Sequence, residues 1–172
     1  QKMSKIQIQL KDGRNINLEL YEEIAPITVR NFKNLIAEKY FDGLCFHRTI
    51  NGFMIQGGGF YQEGHALREK HGAKTIKGEF SLNGVKNNLH HGEGVISMAR
   101  TNIPDSASSQ FFICSADCGF LDGQYAAFGK TVDDESLATV KDIAKVPTHS
   151  FSYFDDIPDE PVVIKTVILT EE

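Results

Sequence analysis

Phe46–Phe60, with the sequence FHRTINGFMIQGGGF, is the most informative stretch of this chain. Asn51-Gly52 divides it into two short runs and is typical of a hairpin turn, because glycine tolerates the positive φ that such turns require. Met54 and Gln56 are two residues apart and so share one face of the second run, whereas strict alternation places Phe53 on the opposite face. The stretch predicts a β-hairpin that presents an apolar side chain beside an amide.

A second segment, Gln110–Cys114, repeats this arrangement. Gln110 and Phe112 are also two residues apart, so a strand would present both on one face. An amide side chain can both donate and accept hydrogen bonds. Two such strands side by side would form a pocket that grips a small apolar group and holds a peptide backbone next to it.

The rest of the chain supplies more short strands and two helices. Residues 6–10 and 16–20 alternate apolar and polar side chains around Asp12-Gly13, which predicts an N-terminal hairpin. Helices are expected over residues 26–40, where Pro26 fits the first turn but Ala25 is a poor cap, and over residues 134–145. Residues 61–92 are expected to be mostly irregular, and residues 162–169 to form the last strand.

These elements favour a mainly β fold. About eight strands occur in runs, without regular alternation of strands and helices, and two helices cannot cover an open sheet of that size. The economical solution is a closed eight-stranded antiparallel barrel capped by two α-helices. The length of 172 residues suits one domain, and we expect a single domain over residues 1–172.

Composition excludes several classes of partner. The net charge is −5 and no basic stripe is visible, so a nucleic-acid partner is not expected. No run approaches the roughly 18 apolar residues of a membrane helix, and residues 1–4 lack the apolar core of a signal peptide. The three cysteines, at positions 45, 114 and 118, form no zinc-binding pattern and are interpreted as reduced thiols. We expect a monomeric, cytoplasmic protein.

Metal and nucleotide sites are not expected either. His90 and His91 would point to opposite faces of a strand, and no HExxH motif completes a metal set. Gly57-Gly58-Gly59 lacks the Lys-Ser/Thr ending of a phosphate loop and is interpreted as close backbone packing. His47 is interpreted as a structural, hydrogen-bonding residue. No cofactor is predicted.

From about Ile6 to Leu169, the order of these segments resembles the cyclophilins. The run Phe46–Phe60 carries the most specific part of the resemblance, and Met98-Ala99-Arg100-Thr101 followed by Gln110-Phe111-Phe112 is similar to bacterial cytosolic members. The resemblance implies a closed eight-stranded barrel. It also implies a peptidyl-prolyl cis/trans isomerase that acts on proline-containing peptides and unfolded proteins without a cofactor.

The resemblance also implies the site. Arg48, Phe53 and Gln56 would be the catalytic residues, and the substrate-binding residues would be Met54, Ala99, Arg100, Gln110, Phe112, Phe120, Leu121 and Tyr125. Three of these depart from the form common in eukaryotic cyclophilins: Phe120 replaces a tryptophan, Tyr125 a histidine and Arg100 an asparagine. The first change removes an indole N–H donor, so the resemblance implies at most weak cyclosporin binding.

Two alternative functions remain open at this stage. One is a chaperone or scaffold module that grips proline peptides with little turnover; the other is a metal-dependent hydrolase that uses the histidine-rich loop. The acidic and aromatic segment Ser150–Asp156 is interpreted as a packed surface loop, with a partner contact as the alternative.

Overall fold

The computed structural model describes residues 3–172, which form twelve strands and two α-helices. The strands of the main sheet are β1 Met3–Leu10, β2 Asn15–Tyr21, β3 Phe46–Ile50, β4 Met54–Gly57, β7 Val95–Met98, β8 Phe111–Cys114, β9 Ala127–Thr131 and β12 Ile164–Glu171. Two separate hairpins are β5 Phe60–Glu63 with β6 Ala66–Glu69, and β10 Thr148–Phe151 with β11 Phe154–Pro158. The helices are α1 Pro26–Ala37 and α2 Asp134–Ala144. Neither helix is long and apolar enough to span a membrane.

The main sheet is strongly curled but is not a closed barrel. Its order is β12-β1-β2-β9-β7-β8-β4-β3, and its pairings are antiparallel. Within residues 3–172 the two edges meet at an isolated bridge between Cys45 and Val163. The Phe46 N–H donates to the Val162 carbonyl at 2.9 Å on one side of this bridge, and the Ile164 N–H donates to the Leu44 carbonyl at 2.7 Å on the other. The prediction of a closed barrel is therefore wrong: among the described residues no continuous ladder pairs β3 with β12, and the sheet is a half-barrel.

The predicted hairpins and helices are present, with small differences at their ends. The N-terminal hairpin pairs Ile6 with Leu18, as the alternation predicts. The first helix ends earlier than expected because Lys39, just beyond it, adopts a left-handed φ of 57°. The expected irregular stretch 61–92 contains most of the β5–β6 hairpin, and the expected surface loop around residue 150 is the β10–β11 hairpin. Both hairpins are short and partly exposed, so their apolar alternation is weak.

Aromatic packing holds α1 against the sheet. Phe32 on the helix is fully buried, and its ring centroid lies 4.9 Å from that of Phe41, 5.4 Å from that of Phe111 and 5.2 Å from that of Phe128. Phe111 belongs to β8, so this cluster fixes the strand that also carries Phe112 on its other face. The core thereby sets the position of the candidate pocket.

The glycine run lies where backbones approach closely, as predicted. A Cβ atom on Gly57 would lie 2.7 Å from the carbonyl oxygen of Cys45. Gly58 has a φ of 91°, and a Cβ atom there would lie 2.7 Å from the carbonyl oxygen of Ser109. Larger residues at either position would displace β4 from its neighbours.

A distant carboxylate caps α1. Ala25 provides no side-chain hydrogen bond, as expected. Glu79, which is only 2% exposed, accepts hydrogen bonds from the Ile27 N–H at 3.2 Å and from the Thr28 N–H and hydroxyl at 2.7 Å each. The carboxylate satisfies donors that every helix leaves open at its first turn, and its negative charge suits the positive end of the helix dipole.

We expect Glu79→Ala to lower the free energy of unfolding by about 3 kcal/mol, because the buried N–H and hydroxyl groups of Thr28 lose their charged acceptor. Urea unfolding monitored by circular dichroism measures the change. Glu63→Ala is the matched control: Glu63 pairs with Arg68 at 3.1 Å on the surface, and such a pair contributes less than about 1 kcal/mol. Equal losses in the two variants would contradict the capping role.

Candidate active site

A cavity of about 370 Å³ opens over β3, β4 and β8. It brings together ten of the eleven residues that the resemblance implied; Phe120 alone is outside its lining. Three further residues that sequence reasoning did not assign to the site complete the lining. The lining residues are His47, Arg48, Phe53, Met54, Gln56, Phe60, Ala99, Arg100, Gln110, Phe112, Leu121, Tyr125 and Phe154.

The apolar part of the cavity is a small cluster separate from the main core. Met54, Phe112 and Leu121 are buried there, with Cys114 and Cys118 packed among them. All three cysteines are free thiols. Burial raises the pKa of the Cys45 thiol to about 12 and also raises the pKa of the Cys114 and Cys118 thiols. Cys114 and Cys118 therefore act in this cluster as small apolar fillers rather than as nucleophiles.

Phe53 joins this cluster, contrary to the alternation argument. It belongs to the turn before β4 and not to the strand, so the period of two does not apply to it. The Phe53 N–H donates to the Ile50 carbonyl at 3.1 Å, and the Cys118 thiol donates to the Phe53 carbonyl at 3.4 Å. The Phe53 side chain packs against the cluster that contains Met54.

A row of polar side chains crosses the cavity. Arg48 Nη1 donates to Gln56 Oε1 at 3.2 Å, and Gln56 Nε2 donates to Gln110 Oε1 at 3.0 Å. The row follows from strand register, because Arg48 lies opposite Gln56 and Gln56 opposite Phe112. The bond to Gln56 is the one hydrogen bond that Arg48 makes to the described residues. Because a guanidinium has five N–H donors, most of the Arg48 donors remain available to a ligand.

At the far rim of the cavity, neighbouring groups hold the Arg100 side chain. The Arg100 guanidinium carbon lies 4.7 Å from the ring centroids of both Phe80 and Tyr125, and its nitrogens donate to the Gln124 carbonyl at 3.0 and 2.6 Å. The Arg100 side chain is thus engaged within the fold. The Ala99 N–H donates to the Gln110 carbonyl at 3.0 Å, so Ala99 offers a ligand its carbonyl rather than its N–H.

Phe120 lies at the outer edge of the site. Its side chain is 66% exposed, and its ring centroid is 5.7 Å from that of Phe53. A ligand confined to the apolar cluster would not touch it, whereas a larger ligand covering Phe53 would.

The residues that sequence reasoning missed form the wall beside Arg48. The ring centroids of His47 and Phe60 are 4.5 Å apart, and those of Phe60 and Phe154 are 5.3 Å apart. His47 is buried and its Nδ1 has no hydrogen-bond partner among residues 3–172, so the hydrogen-bonding role predicted for it is wrong at that atom. Phe154 comes from β11, which no local pattern places beside β3.

The histidine pair has a different environment from the one predicted. His90 and His91 lie in a loop, and both side chains approach the carboxylate of Asp122. His91 is buried, with Nδ1 2.9 Å from Asp122 and Nε2 2.9 Å from the Ser97 hydroxyl, and its ring stacks on Phe112 at 6.0 Å. His91 therefore supports the pocket from behind, whereas His90 is exposed and contacts Asp117 and Asp122. Residues 3–172 contain no group of three or more His, Cys, Asp or Glu side chains arranged to hold a metal ion.

Comparison with known proteins agrees with this geometry. Residues 5–169 match the family model described as cyclophilin type peptidyl-prolyl cis-trans isomerase/CLD. Peptidyl-prolyl cis-trans isomerase of Acinetobacter baylyi is 43% identical over 89% of this chain and 79% of that protein, and peptidyl-prolyl cis-trans isomerase B of Escherichia coli is 37% identical over 91% and 94%.

A solved structure is similar over almost its whole length. It is a cyclophilin type peptidyl-prolyl cis-trans isomerase of Cryptosporidium parvum, crystallised in the presence of the dipeptide ala-pro, with a TM-score of 0.75 and 27% identity over 98% of this chain and 99% of that one. Since the family model spans residues 5–169 and the bacterial relatives match over most of both chains, this chain belongs to the cyclophilin-type peptidyl-prolyl cis-trans isomerase family.

Proposed function

We propose that this chain, acting as one domain, accelerates rotation about X–Pro bonds in proline-containing peptides and unfolded proteins, with Arg48 as the catalytic residue. The observation that carries the proposal is the Arg48 guanidinium held by Gln56 at the edge of an apolar pocket. The pocket would bind the proline ring, and the polar row would bind the peptide backbone.

The chemistry needs a donor at the prolyl nitrogen. Amide resonance gives the C–N bond partial double-bond character and a rotational barrier of about 18–20 kcal/mol. In the twisted transition state the conjugation is lost, and the nitrogen becomes pyramidal and basic. A guanidinium N–H aimed at that nitrogen stabilises the transition state more than either planar ground state. Arg48 is always charged and has donors to spare.

The other residues that line the cavity would also contribute to lowering the rotational barrier. A 10⁵-fold acceleration requires about 7 kcal/mol, which exceeds the contribution of one hydrogen bond. Phe53, Met54, Phe112 and Leu121 would exclude water from the bound ring, which strengthens the interaction with Arg48. Gln56, Gln110 and the Ala99 carbonyl would hold the peptide in place. No covalent intermediate is required.

His47 keeps the neighbourhood of Arg48 free of a second cation. Burial lowers the pKa of His47 to about 4, and the positive charge of Arg48 acts in the same direction. At neutral pH the imidazole is therefore uncharged. The wall beside Arg48, formed by His47, Phe60 and Phe154, then adds no second positive charge next to the guanidinium.

We expect Arg48→Ala to lower kcat/KM for a proline peptide by about 10²- to 10³-fold, the range for losing one donor directed at a transition state. Peptide affinity, measured by calorimetry or NMR titration, should fall by less than about threefold. Arg68→Ala, which removes an exposed arginine outside the cavity, is the control. Equal losses of turnover and affinity would assign Arg48 to binding alone, and binding by the wild type without turnover would favour a chaperone or scaffold module.

The buried His47 predicts a specific pH dependence of stability. In the unfolded chain the His47 imidazole binds a proton near pH 6.5, whereas in the folded chain its pKa is about 4. The folded state therefore loses stability as pH falls through this window, by up to about 3 kcal/mol at 1.36 kcal/mol per pKa unit. Urea unfolding of wild type and His47→Gln at pH 7.5, 6, 5 and 4 tests this. The free energy of unfolding should fall more steeply with decreasing pH in the wild type than in His47→Gln. The same pH dependence in both proteins would contradict a neutral His47.

We expect cyclosporin to inhibit the wild type weakly, because Phe120 offers no N–H donor. Phe120→Trp should lower the inhibitory concentration by about three- to tenfold, the effect of one added hydrogen bond. Tyr153→Trp, which adds an indole at an exposed position outside the cavity, should leave the inhibitory concentration unchanged. Unaltered inhibition in Phe120→Trp would show that the rim does not limit drug binding.

A further inference from the structure

The groove extends past the proline pocket on the side of β3. Because the sheet order is β7-β8-β4-β3, Ala99 and Arg100, which follow β7, lie at one end of the groove. The β10–β11 hairpin packs beside β3 and brings Phe154 to the opposite end. A peptide that crosses the strands with its proline over Met54 and Phe112 would therefore reach Phe154 on the side away from Ala99.

The wall at that end is aromatic and uncharged. Phe154 meets Phe60 nearly edge-on, at 5.3 Å and 72°, and Phe60 packs on the His47 ring. Phe154 itself is only partly buried, so one side of its ring faces the cavity. Partly exposed aromatic rings gain from a further edge-to-face or offset partner.

The cavity has room for more than proline. Five ring atoms occupy on the order of 150 Å³ if each takes the share of one water molecule in the liquid, about 30 Å³. The cavity holds about 370 Å³ and includes Phe154 in its lining. A second substrate side chain can therefore be accommodated beside the proline ring.

The hairpin that carries Phe154 is held in place. His149 Nδ1 lies 2.8 Å from Asp159, the Ser150 hydroxyl donates to Asp155 at 2.7 Å, and Gln62 Nε2 donates to the Pro158 carbonyl at 2.7 Å. The last bond ties the hairpin to β5. A wall fixed before binding costs little entropy when a ligand arrives.

We propose that Phe154 is a specificity-determining residue that selects an aromatic side chain close to the proline in the substrate, on the side opposite the residue that contacts Ala99. The inference rests on the proposed isomerase function and names a substrate class for the same site.

The test uses wild-type protein and peptides in which Phe or Ala is placed in turn at four positions, the two before and the two after one proline. At one of these positions we expect kcat/KM for the Phe peptide to exceed that for the Ala peptide by about three- to tenfold, the range for one added aromatic contact. Phe154→Ala should bring the Phe/Ala ratio at that position close to one. The ratios at the other positions serve as internal controls.

Tyr153→Ala is the matched control, because Tyr153 is 97% exposed at the tip of the same hairpin and outside the cavity lining. It should keep the wild-type Phe/Ala ratios. If Phe154→Ala fails to fold, Phe154→Leu removes the aromatic ring while keeping apolar volume, and the same ratio is read. Wild-type Phe/Ala ratios retained in the folded variant would overturn the inference. Absence of turnover with every peptide would instead overturn the isomerase function.

Discussion

The two faces of β8 hold the molecule together and build its site. Phe111 points into the core, where its ring packs on Phe32, Phe41 and Phe46 at centroid distances of 5.4, 5.6 and 5.8 Å. Phe112, the next residue, points the other way and forms the floor of the cavity. A slip of one residue in this strand would exchange the two rings and destroy both core and pocket. The aromatic core therefore fixes the register on which the site depends.

Electrostatics in the groove follow from the same register. The pairing of β3, β4 and β8 brings Arg48, Gln56 and Gln110 into one hydrogen-bonded row. The other cation of the groove, Arg100, is engaged by two aromatic rings and a carbonyl. Since burial also keeps His47 neutral, Arg48 is the cation that remains available to a bound peptide. One free cation beside an apolar pocket suits a reaction in which charge changes little until the amide twists.

Tertiary contacts replace local signals at several points. The first turn of α1 lacks a local cap and is completed by Glu79, about fifty residues further along the chain. Asp122 follows Leu121 of the pocket and holds His91 behind Phe112. The β10–β11 hairpin packs beside β3 and adds Phe154 to the groove. In each case a loop or hairpin supports an element that would otherwise be incomplete.

The amino-acid sequence by itself determined the two helices, the N-terminal hairpin and the faces of β4 and β8, because periods of 2.0 and 3.6 residues are local properties of the chain. It also carried the family resemblance, through the order of segments around Arg48 and Gln110. The resemblance assigned Phe53 to the site, but only the tertiary structure decided that Phe53 reaches the pocket from a turn. Only the tertiary structure also decided that His91 lies behind Phe112 and that Phe154 lines the groove. These placements depend on contacts between segments far apart in the chain, and no local periodicity encodes which distant partner a side chain will meet.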